Sequence, residues 1–136
     1  MRKVISARKH EKIVAGHRRF EKGILFENEV ADHYSSMGYK IKSRRRTRLG
    51  EIDIVATKSS IWRGSHALLI ECKHKERISL SDFVRFVGKF LKFSRRAGED
   101  QSGGVFAYRG ELDPNIKTYY KTLDESVRNA IFLERW

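Results

Sequence analysis

The sequence predicts an α/β domain, a central sheet flanked by helices, and three observations predict it. Between Leu49 and Lys75 lie two short aliphatic runs, Ile52 to Ala56 and Ala67 to Ile70, bounded by turn formers or charge as buried strands are. Before them, Phe26, Val30, Tyr34 and Met37 recur at spacings of four, four and three, the apolar stripe of an amphipathic helix. After them, Phe83, Val84, Val87, Phe90 and Leu91 form a second helical stripe, followed by a strand-like Val105 to Tyr108.

At 136 residues the chain suits one domain, and 40% hydrophobic with 34% charged residues suits a folded one. No apolar run reaches membrane-spanning length, and the first six residues are too polar for a secretory leader, so no membrane association is expected. The single cysteine, Cys72, has no intramolecular disulfide partner, which fits a reducing cytoplasm and excludes a cysteine-built zinc site. The five histidines show no ligand spacing such as HxxxH. A net charge of +12 favours a polyanionic partner through steering and counterion release.

Half of that excess lies in residues 1–22, where eight Lys/Arg face two Glu. This basic extension, residues 1–22, reads either as a phosphate-gripping arm with irregular helical character or as a partly ordered tail. The folded domain, residues 23–136, opens with the first helix, which Gly38 stops. Tyr39 and Ile41 alternate with Lys40 and Lys42 as an edge strand, and lead into Arg44, Arg45, Arg46 and Arg48. From Lys40 to Arg48 there are six basic residues and no acid, a run suited to phosphate oxygens because the guanidinium fork binds them in pairs.

Gly50 permits a turn into the carboxylate strand. Thr57 to His66 reads as a polar connection under which Ile61 and Trp62 pack. Ser79 or Ser81 caps the second helix, which runs to about Arg96 with Asp82 complementing the dipole in its first turn. Arg85, Lys89, Lys92 and Arg96 recur at four, three and four and align a basic ridge that could track a nucleic-acid backbone. Gly98 stops this helix, Pro114 stands at a turn or helix start, and Ile116 through Ile131 suggest one or two closing helices.

The chemistry sits in the central pair of strands. Asp53 lies among Ile52, Ile54 and Val55, and Glu71 and Lys73 follow Leu68, Leu69 and Ile70. Alternation points Glu71 and Lys73 the same way and Cys72 into the opposite layer. Carboxylates in apolar strands must be paired, protonated or neutralised by a metal. Two of them, a lysine and a basic surround suggest a hard divalent cation, and Mg²⁺ takes only one or two protein carboxylates beside water and phosphate oxygens.

Asp53 followed by Glu71-Cys72-Lys73 resembles the Asp...Glu-X-Lys signature of the PD-(D/E)XK nucleases, most like small archaeal Holliday junction resolvases and Mrr-type enzymes. The likeness runs from about Gly23 to Phe93, and Ile52 stands where the family's proline would be. The resemblance implies a restriction-endonuclease-like mixed central sheet flanked by helices. It implies Mg²⁺, with Mn²⁺ as substitute, held by Asp53, Glu71, the backbone carbonyl of Cys72 and a glutamate of the first helix. Glu27 matches that glutamate, with Glu29 its competitor. It further implies Lys73 as the group that positions the attacking water or stabilises developing charge, Lys89 as the lysine near the site, and 5′-phosphate and 3′-hydroxyl products.

The expected function is a metal-dependent DNA endonuclease, either structure-selective on junction or branched DNA or restriction- or repair-like. A resolvase would act as a two-fold homodimer. The alternative is a non-catalytic nucleic-acid-binding module on the same fold, which would bind DNA in chelator and never cut it.

Overall fold

The computed structural model describes residues 7–46, 52–61, 64–97 and 102–136. Helix α1 (Ala7–Ser36) is followed by strands β1 (Lys40–Arg46), β2 (Ile52–Ser60) and β3 (Gly64–Ile78). Helix α2 (Leu80–Ala97), strand β4 (Ser102–Leu112), helices α3 (Pro114–Thr122) and α4 (Glu125–Ala130) and strand β5 (Ile131–Arg135) complete the chain. The sheet order is β1-β2-β3-β4-β5, antiparallel through β3 and parallel from β3 to β5. Helix α2 is the crossover between the parallel strands β3 and β4, a connection that parallel pairing requires.

Each face of the sheet buries its own apolar layer. On one face Phe26, Val30, Ala31 and Tyr34 of α1 pack on Ile54, Ile70 and Cys72. On the other, Phe83, Phe86, Val87 and Phe90 of α2 pack on Leu69 and Phe106, with Ile116 of α3 beside them. Gly104 lets α2 lie close to β4: a Cβ there would stand 2.8 Å from the Phe90 ring and 3.1 Å from that of Phe86. Gly38 ends α1 at a φ of 94°, a left-handed conformation that glycine adopts without steric cost.

Several elements differ from the sequence expectation. Helix α1 runs without a break across residues 22 and 23. Met37, Val84 and Leu91, assigned to apolar stripes, are exposed, and Phe86 takes the core place on α2. The polar connection shrinks to a hairpin tip, because β2 and β3 stay paired to Ser60 and Gly64 through Lys58 and His66. A ladder bonds backbone groups whatever the side chains, so solvated residues continue it past the core. Ile61 is 98% exposed at that tip and packs under nothing. The closing helices give way to β5 from Ile131, whose buried Ile131 and half-buried Leu133 alternate as a strand's do. Gly50, Glu51, Trp62, Gly98 and Arg48 lie outside the described residues.

Candidate active site

Register brings the two strand carboxylates together. Asp53 of β2 is the cross-strand partner of Glu71 of β3, and Arg45 of β1 is in turn the partner of Asp53. Directly opposite residues of an antiparallel pair put their Cβ atoms about 5 Å apart on one face. That face is the α2 face, since Leu69 and Val55, two residues from Glu71 and Asp53, belong to its layer. Glu71 is fully buried and the Asp53 side chain is 14% exposed, so the pair opens to solvent on the Asp53 side.

Helix α2 brings an ammonium to this pair. Lys89 Nζ donates to Glu71 Oε1 at 2.8 Å and stands 3.5 Å from Asp53 Oδ1. Lys89 is thereby turned toward the sheet, away from the outward ridge its spacing suggests. Arg85 and Lys92, from the same ridge, remain exposed.

Lys73 projects from β3 beside Glu71, as strand alternation requires, and is buried. Its Nζ lies 3.6 Å from Asp82 Oδ1, and Lys75 and Arg85 also pair with Asp82, Arg85 at 3.3 Å. Asp82 reciprocally caps α2 with Ser79: the Ser79 N–H donates to Asp82 Oδ2 at 3.0 Å, and the Asp82 N–H donates to Ser79 Oγ at 3.2 Å. Burial disfavours the Asp82 anion. The hydrogen bonds from Lys75 and the Ser79 backbone and the charge of Lys73 outweigh burial and lower its carboxyl to about 2.

Sequence reasoning gave Asp82 only a dipole role and gave Lys75 none. The signal was present in Ser79-x-x-Asp82, a capping box facing two lysines of one strand parity, Lys73 and Lys75.

Glu27 is fully buried on α1, in the layer beneath the opposite face of the sheet. Burial first, then the charges of Glu27, Glu71 and Asp53, push the Cys72 thiol far above its ordinary value. The Cys72 sulfur therefore keeps its proton and offers no thiolate, which leaves only its backbone carbonyl for the role the resemblance assigned. Glu29 is committed elsewhere: both its oxygens accept from Arg109, at 3.1 and 2.6 Å, and that pairing lowers its carboxyl.

Among the described residues no three acidic, histidine or cysteine side chains converge as a ready-made ion cage. The Asp53–Glu71 pair nevertheless suits a hard divalent ion, because it is an all-oxygen donor set and already holds one cation, the Lys89 ammonium, between its two members. Arg44, Arg45 and Arg46 stand on β1 at the register positions of Ile54, Asp53 and Ile52. No described helix is long and apolar enough to cross a membrane.

The model of Uncharacterised protein family UPF0102 matches residues 26–90, just under half of the chain. That span contains Glu27, Asp53, Glu71, Lys73, Asp82 and Lys89. Among solved structures, apo EndoMS is similar with a TM-score of 0.51 at 14% identity, over 73% of this chain and 38% of that one. The chain thus spans well under half the length of EndoMS. Comparison with curated proteins finds no match. The five-stranded mixed sheet with helices on both faces is thus similar in fold to apo EndoMS, and the segment that carries the acids and lysines of its central strands and α2 is the part matched by the UPF0102 model.

Proposed function

We propose that the chain is a divalent-metal-dependent DNA endonuclease whose reacting phosphate lies over β2 and β3. The observation that carries this reading is the cross-strand pair Asp53 and Glu71, with Lys73 on the same face and strand as Glu71. Asp53 and Glu71 would hold Mg²⁺, or Mn²⁺ in its place, with the Cys72 carbonyl as a further protein oxygen, whereas Glu27 lies on α1 across the sheet from their face. Bound there, the ion would withdraw charge from a phosphate and acidify water.

The chain's own residues do the rest. Cleaving a phosphodiester builds negative charge on phosphate oxygens, and an ammonium already fixed in place stabilises it without reorganising. Lys73 is such an ammonium: it is short of solvent, and Asp82 fixes its tip. Arg85 and Lys92 on α2, with Arg44, Arg45, Arg46 and Arg48 along and beyond β1, would take backbone phosphates on either side, contacts that position DNA without reading its sequence.

The test is cleavage of a four-way junction and of linear duplex over a Mg²⁺ series by wild type, Asp53→Ala, Glu71→Ala and Lys73→Ala. A sizing column run beside it reports whether the active species is a homodimer. Loss of cutting with retained DNA binding supports the reading, and wild-type cutting by all three variants removes it. Salt-sensitive binding without cuts under any metal would instead support the non-catalytic module.

A further inference from the structure

Lys89 occupies the place between the two acids, 2.8 Å from Glu71 Oε1 and 3.5 Å from Asp53 Oδ1. A buried, ionised Glu71 needs a compensating cation, and this ammonium supplies one. It is a monovalent group facing two carboxylates, so the pair still attracts positive charge. A divalent ion bound by the same oxygens must sit about 2.1 Å from them, where it repels and displaces an ammonium hydrogen-bonded to one of them. Lys89 has somewhere to go: its side chain is 29% exposed, it shares the open side with Asp53, and its four-carbon stem is flexible. Its backbone does not follow, because Phe86 and Phe90 on either side of it are locked in the core.

We propose that Lys89 is a resident counter-ion: it offsets part of the charge of Asp53 and Glu71 while no metal is bound, and a divalent ion displaces it outward, where its ammonium meets the substrate's phosphate backbone. This rests on the reading of Asp53 and Glu71 as metal ligands. Lys89 is then a positioning residue, and it links two equilibria. Metal releases the ammonium that DNA uses, so each ligand tightens the other by the same factor.

The experiment is a calorimetric Mn²⁺ titration of the metal-free full chain as wild type, Lys89→Met and Lys89→Arg. Lys89→Met removes the competitor and binds Mn²⁺ about tenfold tighter or more, the scale on which one neighbouring charge changes a carboxylate's affinity for a proton. Lys89→Arg keeps the charge and stays near wild type. A second measurement needs no destabilised variant. In the wild type with ¹³C-methylated lysines, the signal absent from Lys89→Arg shifts as Mg²⁺ is added. Equal or weaker Mn²⁺ binding by a folded Lys89→Met, or a Lys89 signal unmoved at saturating Mg²⁺, overturns the counter-ion role while leaving the metal site standing. No Mn²⁺ binding by wild type or either variant overturns the metal-site reading and the counter-ion role with it.

Discussion

Two charge clusters lie under the same helix and have opposite compositions. At one, Asp53 and Glu71 share Lys89; at the other, Asp82 alone faces Lys73, Lys75 and Arg85. Asp82 and Lys89 are seven residues apart on α2, two turns or about 10 Å along one side. On β3 the matching step runs from Lys75 and Lys73 to Glu71, about 7 to 13 Å. One helix laid on one strand therefore orders an acid-rich site beside a base-rich one. Such a pair suits a reaction that must hold a metal cation and a phosphate side by side.

The comparison can be broken at the acid-rich end first. Asp53→Asn and Glu71→Gln keep side-chain volume, reduce cleavage to background and leave DNA binding in place, as read on labelled duplex and by anisotropy. Wild-type rates in both would reduce the acid pair to a structural salt bridge. At the base-rich end Lys73→Ala lowers kcat by about 10²–10³-fold, the loss seen when one donor to developing charge is removed, while KM for DNA changes little.

Asp82→Asn sharpens the contrast, because it leaves Lys73 in the protein and removes the carboxylate charge its tip faces. Cleavage falls by about 10–100-fold, as for other groups that orient catalytic side chains. The same variant carries a pH signature. The folded Asp82 carboxyl is depressed to about 2 from its ordinary 3.8, so its stabilising effect is present above the ordinary value. That effect is lost as pH falls from near 4 through 2. Urea midpoints of wild type and Asp82→Asn converge over that interval, and a constant gap would count against the ion pairs. The smallest effects belong to the outer cations: Arg85→Ala and Lys92→Ala each lower the salt slope of DNA binding by about one.

Periodicity exposed the parts of this molecule where apolar residues repeat over a core. The stripe of Phe26, Val30 and Tyr34, the run Leu68 to Ile70 and the span of α2 were legible for that reason. So was the shared face of Glu71 and Lys73 with Cys72 behind it. The far ends of β2 and β3 were hidden because backbone pairing alone holds Lys58 and His66 in the ladder. Strand β5 was hidden because five residues carry too short an alternation to outweigh the helical spacing before it. At the candidate site, residue types singled out the acids and Lys73 as a group to be tested. What could not be read was which way a long side chain turns. Spacing alone gave Lys89 a place on a surface ridge and only the family resemblance put it near the site, while Asp82 resembles any first-turn acid until β3 lays its lysines against it.

Gly104 bears no charge and lies on neither strand that carries the acids, yet it governs both clusters. The missing methyl lets Phe86 and Phe90 settle on β4, and the depth of that seat decides how far down Lys89 and Asp82 hang. Gly104→Ala would lift the helix like a shim under a hinge plate, slackening the grip on two separate sets of ions at once. A change in the interior, out of contact with solvent, would thus detune the surface chemistry while every titratable residue stayed the same.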